Sequence, residues 1–164
     1  MRPTPNRTMK LIDEFRPEDF SQIVGNKQAI ARIERAIQMN DGSANGLVFL
    51  LTGATGNGKT LIADMLADVI DGDVYRPDCT EDSRTADVIN LVKTHARTGA
   101  WYTGTSVFIF DEADRLSPNN IAKLKITVDY IDTCRREGKL CPVVLIFTTA
   151  KTKEQLTKIY CPGG

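Results

Sequence analysis

The sequence predicts an α/β fold in which a mostly parallel sheet is covered by helices on both faces, in three layers. Two observations predict it. Short apolar runs typical of buried strands alternate along the chain with longer segments whose apolar residues recur at helical spacing. One of these strands leads directly into a glycine-rich loop and a helix, an arrangement typical of phosphate-binding parallel sheets. At 164 residues the chain has the length of one domain.

The first helix is predicted over 26–39, where Asn26 is placed to cap the first turn and Ile30, Ile33 and Ile37 share one face. A cluster of turn-forming residues follows, and the apolar run 46–52 then predicts the first strand. A second helix is predicted from apolar residues at positions 61, 62, 65, 66 and 69.

The second half of the chain continues the alternation. Strands are predicted over 74–76, 106–111 and 142–148, and helices over 82–97, 118–135 and 153–159. Ser117 followed by Pro118 is a typical helix start, with a capping hydroxyl and a proline in the first turn. The helix over 82–97 is expected to direct four residues inward, namely Val88, Leu91, Val92 and Ala96.

Composition excludes several functional classes. Lys and Arg together number 21, as do Asp and Glu, so no overall basic charge indicates nucleic acid. No apolar run approaches the roughly 20 residues that span a bilayer, and the N-terminus lacks the apolar segment of a signal peptide. We therefore expect a cytoplasmic protein without a membrane partner. The four cysteines form no C-x-x-C pair and there is one histidine, which argues against a zinc site and favours reduced, structural thiols.

The glycine-rich loop is the first functional motif. Gly53-Ala-Thr-Gly-Asn-Gly-Lys59-Thr60 fits the pattern G-x-x-x-x-G-K-[ST], in which backbone N–H groups surround phosphate oxygens. Lys59 adds positive charge for the β- and γ-phosphates, and Thr60 offers a hydroxyl to Mg²⁺. The residues predicted to contact the nucleotide here are Gly53, Ala54, Thr55, Gly56, Asn57, Gly58, Lys59, Thr60 and Leu61.

A second motif follows the strand 106–111. Asp111 ends this apolar run and is predicted to hold Mg²⁺ together with Thr60, because ligands bind beyond the carboxyl ends of parallel strands. Glu112 is predicted to polarise the water that attacks the γ-phosphate. The two motifs together predict a Mg²⁺-dependent nucleotide triphosphatase. The absence of an N-K-x-D motif favours ATP over GTP.

The N-terminal segment carries a family resemblance. Phe15-Arg16-Pro17 and Phe20-Ser-Gln-Ile23-Val24-Gly25-Asn26 resemble the Y-R-P and I-V-G-Q/N opening of clamp-loader ATPase subunits. These are AAA+ proteins that load sliding clamps onto primer–template DNA. Asp111-Glu-Ala-Asp114 matches their D-E-A-D, and residues 78–89 are similar to the N-A-S-D-x-R-G-I-D-V-V stretch of replication factor C small subunits. The resemblance covers about residues 11–161, after an expected flexible tail at 1–10.

The resemblance implies roles for further residues. Arg16, Pro17, Ile23 and Val24 would line the adenine pocket. Thr148 or Thr149 would orient the γ-phosphate or its water as the sensor-1 residue, with the choice between them left open. Arg84 and Lys93 would face DNA phosphates, although a solvated surface charge is the simpler interpretation of each.

Two departures from the family pattern are visible. The motif S-R-C that supplies an arginine finger to a neighbouring subunit corresponds here to Ile159-Tyr160-Cys161, and Tyr160 cannot stabilise phosphoryl charge as a guanidinium does. Arg135 and Arg136 are possible substitutes, with solvated helix-end charges as the simpler interpretation. The chain also ends at Gly164, before the fifth strand, helical lid and collar of the family. We expect those parts to be absent, in a fragment or in a reduced relative.

The leading hypothesis is therefore a clamp-loader subunit that binds and hydrolyses Mg²⁺–ATP, weakly in isolation. Its expected partners are other subunits of a hetero- or homo-pentamer, a sliding clamp and primer–template DNA. Its compact size suggests a phage gene, which would place it in the host cytoplasm. The alternatives are a nucleotide-binding structural subunit without hydrolysis, and another AAA+ machine such as a helicase loader or a branch-migration motor.

Overall fold

A computed structural model describes residues 20–23, 25–98 and 104–152. Helices and strands alternate along the chain. The helices are α1 (Lys27–Met39), α2 (Lys59–Ile70), α3 (Asp82–Arg97) and α4 (Pro118–Arg136). The strands are β1 (Val48–Thr52), β2 (Asp73–Tyr75), β3 (Ser106–Phe110) and β4 (Val143–Thr149). Each lies within two residues of its predicted bounds, and two short 3₁₀ turns cover Phe20–Gln22 and Ala113–Arg115.

The four strands form one parallel sheet in the order β1-β4-β3-β2. Phe49 pairs with Ile146 of β4, and Ile146 pairs in turn with Ile109 of β3. The first and the last of the described strands are thus neighbours. The fifth strand that the resemblance implies is not among the described residues.

Residues of β3 alternate between two separate cores. Val107 and Ile109 pack with α1 and α2 on one face, whereas Phe108 and Phe110 pack with α3 and α4 on the other. All four side chains are fully buried. A strand buried on both faces has a continuous apolar sequence, which is why the run at 106–111 predicts β3. The predicted three-layer α/β fold is confirmed.

Two helical faces differ from the prediction. In α3 the predicted Val92 and Ala96 are buried, and the predicted Val88 and Leu91 are half-buried against the same core. The fully buried Ile89 was not predicted. In α2, Val69 is 56% exposed, although it is one of the five apolar residues whose spacing predicts the helix. Alanines at 63 and 67 pack closely instead, which rotates the buried stripe of α2 away from Val69.

The start of α1 is also a correction. Asn26 was expected to cap this helix, but its side chain makes no capping hydrogen bond and its backbone is left-handed, with φ of 53°. The side-chain amide instead donates to the carbonyl of Asn57, at 3.0 Å. Asn26 therefore ties the start of α1 to the glycine-rich loop.

The topology places the functional motifs together. The glycine-rich loop follows β1 and Asp111 follows β3. Thr148 and Thr149 end β4, the strand that lies between β1 and β3. Parallel strands end at the same edge of the sheet, so these three segments meet there. No helix within the described ranges has the length and hydrophobicity needed to cross a bilayer.

Candidate nucleotide-binding site

The glycine-rich loop between β1 and α2 is folded around its own lysine. Gly53, Gly56 and Gly58 have φ of 152°, 86° and 74°, in the region that favours glycine. Lys59, the first residue of α2, donates from Nζ to the carbonyl oxygens of Gly53 and Ala54, both at 2.8 Å. The positive charge of Lys59 and the N-terminus of α2 thus lie at the same place, which suits an anionic ligand.

Asp111 connects the loop helix to the sheet. Its Oδ1 accepts hydrogen bonds from the hydroxyl of Thr148 at 2.8 Å and from the hydroxyl of Thr60 at 3.4 Å. Thr60 belongs to α2 and Thr148 to β4, so two elements contact the carboxylate that follows β3. The two residues predicted to hold Mg²⁺ are therefore brought into contact.

The two threonines at the end of β4 have different partners. The hydroxyl of Thr148 also accepts a hydrogen bond from the backbone N–H of Glu112, at 3.2 Å. The hydroxyl of Thr149 donates to Asp114 at 2.7 Å and accepts from the N–H of Lys151 at 3.1 Å. Thr148 therefore contacts Asp111 and Glu112, whereas Thr149 contacts Asp114.

Glu112 is held in an unusual backbone conformation. Its φ of 51° lies in the left-handed region, which costs a non-glycine residue about 1 kcal/mol. The carboxylate is exposed and forms an ion pair with Arg115, with Nε and Oε2 2.9 Å apart. An exposed pair of this kind is weak, so the Glu112 side chain is free to exchange partners at small cost.

The oxygen atoms of Thr60 and Asp111 fit Mg²⁺. This ion takes oxygen ligands and is commonly held by one or two carboxylates together with substrate phosphates. Within residues 20–23, 25–98 and 104–152, no three His, Cys, Asp or Glu residues cluster as a metal site. A hydroxyl and one carboxylate beside a phosphate-binding loop nevertheless suffice when the nucleotide supplies the remaining ligands.

The chain matches a known protein family over most of its length. Residues 49–159, more than half of the sequence, match the model of the "ATPase family associated with various cellular activities (AAA)". The chain belongs to the AAA ATPase family. The match covers the loop, the acids after β3 and the threonines of β4.

Curated relatives of this AAA domain include replication factor C subunits. The small subunit of Methanococcus maripaludis is 34% identical over 76% of this chain and 40% of its own length. The small subunit of Haloarcula marismortui is 28% identical over 72% of this chain and 37% of its own. The large subunit of Methanococcoides burtonii is 32% identical over 68% of this chain and 23% of its own. The chain thus spans at most about two fifths of these relatives.

Solved structures share the fold. The Thermotoga maritima RuvB Holliday junction branch migration motor superposes with a TM-score of 0.58 at 19% identity, over 84% of this chain and 42% of that one. Caenorhabditis elegans PCH-2 gives a TM-score of 0.57 at 14% identity, over 88% and 44%. At these identities the likeness concerns the AAA fold alone.

The buried thiol of Cys79 lies near the acids of this AAA domain. Burial, and next the negative charge of Asp111, raise the pKa of Cys79 to about 12. The thiol is therefore protonated at neutral pH and is not a nucleophile. In the loop before α3, hydrogen bonds from Thr80 lower the pKa of Asp78, which keeps that carboxylate charged.

Several predicted site residues lie outside the described part of the chain. These are Arg16, Pro17, Val24, Tyr160 and the predicted helix over 153–159. Ile23 is described and is buried in the core with Ile30 and Ile33 of α1, and Phe20 packs against the same core. The lining of an adenine pocket stays a prediction.

Arg84, Arg135 and Arg136 on the surface of this AAA domain each pair with a nearby acid. Arg84 forms an ion pair with Glu81 at 3.0 Å while its side chain stays 76% exposed, and Lys93 is half-buried on α3. Arg135 and Arg136 both pair with Asp132 at the end of α4, as expected of helix-end charges. A DNA contact by Arg84 or Lys93 stays a prediction.

Sequence reasoning missed Arg76 and Arg115 at the site. Arg115 contacts Glu112, and the guanidinium of Arg76 contacts Asp111, with Nη1 and Oδ2 3.3 Å apart. Arg76 directly follows β2, so it lies at the same sheet edge as the loop and Asp111. That position was a usable signal, because residues just after parallel strands line the ligand-binding edge.

Proposed function

We propose that this AAA domain binds ATP with Mg²⁺ and hydrolyses it as part of a sliding-clamp loader. The observation that carries the proposal is the convergence on Asp111 of hydroxyls from Thr60 on the loop helix and Thr148 on β4. A carboxylate with a purely structural role at a strand end would not require two hydroxyl donors beside a phosphate-binding loop. The same hydroxyl of Thr148 also accepts from the N–H of Glu112.

Each residue has a role that its contacts support. The loop N–H groups and the ammonium of Lys59 bind the β- and γ-phosphates. Thr60 and Asp111 hold the metal, which when bound neutralises phosphate charge in the transition state. Thr148 orients the γ-phosphate or the attacking water. Its hydroxyl also holds Asp111 and the backbone of Glu112 in place through hydrogen bonds. These roles follow from proximity and from the chemistry of phosphoryl transfer.

Glu112 must leave its present partner in order to act. Its carboxylate is engaged by Arg115, and polarising a water at the γ-phosphate requires it to turn toward the loop. The exposed pair opposes that movement only weakly. We therefore infer that the arrangement described here is a resting one, in which Glu112 is not yet positioned on water.

Similarity to the replication factor C subunits supports the clamp-loader assignment over other AAA machines. The branch-migration motor shares the fold at 19% identity, whereas the curated subunits reach 34%. On this proposal the partners are other loader subunits, a sliding clamp and primer–template DNA, with Arg84 and Lys93 as candidate phosphate contacts. A neighbouring subunit would supply the arginine finger to this ATP site, as the resemblance to clamp-loader subunits implies.

The direct test compares ATP turnover by the wild type and by Glu112→Gln, with and without sliding clamp and primed DNA. We expect turnover to fall by roughly 100-fold or more, because the general base is lost, while the affinity for ATP is retained. Glu137→Gln serves as the matched control, because Glu137 is an exposed acid paired with Lys139 away from the site. Turnover in that variant should equal the wild type.

Other outcomes separate the hypotheses. Undiminished turnover in Glu112→Gln would remove Glu112 from its assigned role. Tight ATP binding without turnover in any assembly would instead favour a nucleotide-binding structural subunit. Loss of ATP binding in Lys59→Ala, measured with a fluorescent ATP analogue, checks the loop independently of hydrolysis.

A further inference from the structure

Arg76 occupies the position of a counter-ion between two carboxylates. It follows β2 and its guanidinium contacts Asp64 of α2 through Nη2 and Asp111 through Nη1. The three side chains are between one quarter and about one third exposed. Asp64 lies one turn after Thr60 on α2, so Arg76 bridges the helix of the phosphate-binding loop to the end of β3.

The two oxygens of Asp111 have different partners. Oδ1 accepts the hydroxyls of Thr148 and Thr60, whereas Oδ2 faces the guanidinium of Arg76. The carboxylate thus already has both hydroxyl donors and a cation around it. A divalent ion bound by Thr60 and Asp111 would meet the positive charge of Arg76 at the same carboxylate.

We propose that Arg76 is the resident counter-ion of Asp111, and that Mg²⁺ arriving with a nucleotide displaces its guanidinium onto Asp64. The inference rests on the proposed role of Asp111 in holding Mg²⁺. Asp64 retains the guanidinium after displacement, since it is the second carboxylate of the bridge. Arg76 is a positioning residue, because it acts on Asp111 and not on the nucleotide.

The arrangement couples the metal to the nucleotide. Mg²⁺ alone must compete with a guanidinium that already neutralises Asp111, so the free ion binds poorly. A triphosphate adds negative charge and oxygen ligands, which offset the repulsion between Mg²⁺ and Arg76. The site therefore favours the joint binding of metal and nucleotide over the binding of metal alone.

The test measures metal binding rather than turnover. In Arg76→Gln, the Mg²⁺ concentration that half-saturates binding of a fluorescent ATP analogue should fall roughly tenfold, since one competing charge is removed. Affinity for Mn²⁺ without nucleotide, followed by electron paramagnetic resonance, should rise by a similar factor. Asp64→Asn should raise the half-saturating Mg²⁺ concentration and lower the affinity for Mn²⁺. Of the two carboxylates that Arg76 bridges, only Asp111 then remains for its guanidinium.

Controls exclude a general charge or folding effect. Arg35→Gln, on the exposed face of α1, should leave both midpoints unchanged. Arg76→Lys keeps the charge and should shift the midpoints less than Arg76→Gln, and it serves as the test if the glutamine variant does not fold. A midpoint that is unchanged or raised in Arg76→Gln, or Mn²⁺ affinity that does not increase, would overturn the proposal. Absence of analogue binding to the wild type at every Mg²⁺ concentration would refute nucleotide binding instead, while the Mn²⁺ measurement still decides the role of Arg76.

Discussion

Adjacent threonines at the end of β4 have different hydrogen-bond partners, because successive side chains of a strand point to opposite sides. Thr148 points to Asp111 and Glu112, and Thr149 points to Asp114. Both are buried and both hydroxyls are hydrogen-bonded, so burial does not separate them. The contacts favour Thr148 as the sensor-1 residue among the two that the sequence left open.

This choice yields a paired test. Thr148→Val should lower the turnover number at least tenfold, or about 1.4 kcal/mol in the barrier, because Asp111 and Glu112 lose a shared partner. Thr149→Val removes a hydroxyl of the same burial and should change turnover much less. Turnover and thermal unfolding measured on both variants separate catalysis from stability. A larger loss of turnover in Thr149→Val at equal stability would reverse the assignment.

At the scale of elements, two helix starts show how far local signals reach. Ser117 caps α4 as predicted, accepting a hydrogen bond from the N–H of Asn120 at 3.4 Å, with Pro118 in the first turn. Asn26 precedes α1 with equally suitable chemistry, but its amide is used by the loop at Asn57. A local pattern predicts a cap where no distant group competes for the side chain, and fails where one does.

The cap of α4 can be tested by stability. Ser117→Ala should lower the free energy of unfolding by about 1 kcal/mol, because the N–H of Asn120 loses its acceptor. Ser83→Ala in the exposed first turn of α3 is the matched control and should stay within about 0.5 kcal/mol of the wild type. Urea denaturation measures both. Equal effects at the two positions would show that Ser117 contributes only its helix propensity.

At the scale of the whole molecule, β1 is an edge strand of the described sheet. Val48 is 38% and Leu50 52% exposed, and both line an apolar groove of about 300 Å³ between β1 and α4. Phe147 of β4 and Val128 of α4 form part of the same groove. Among the described residues no strand pairs with the outer side of β1, and an edge strand with exposed apolar side chains promotes pairing with other chains.

We therefore expect the 164-residue chain to self-associate as its concentration rises. Leu50→Lys should reduce this association, because a charge on an edge strand disfavours pairing. Val69→Lys is the matched control, since Val69 is similarly exposed but lies on α2. Light scattering against concentration measures the effect. Equal reduction by both substitutions would point to net charge and not to the edge of β1.

Much of this molecule follows from local sequence. The strands buried on both faces, the loop Gly53–Thr60 and the acids after β3 are each encoded by consecutive residues, since periodicity, glycine placement and charge at a strand end act over short distances. The rotation of the buried stripes of α2 and α3 was harder to predict. It depends on which of several neighbouring apolar residues the sheet accommodates, as the exposure of Val69 and the burial of Ile89 illustrate.

The sequence by itself determined the order of the elements, the three-layer fold and the presence of Lys59, Thr60, Asp111 and Glu112 in one nucleotide-binding motif set. Only the tertiary structure decided that Thr148 rather than Thr149 contacts Asp111, and that Arg76 bridges Asp111 to Asp64. The physical reason is distance along the chain. These contacts join residues 12 or more positions apart. Such contacts depend on how separate elements pack, which no local periodicity specifies.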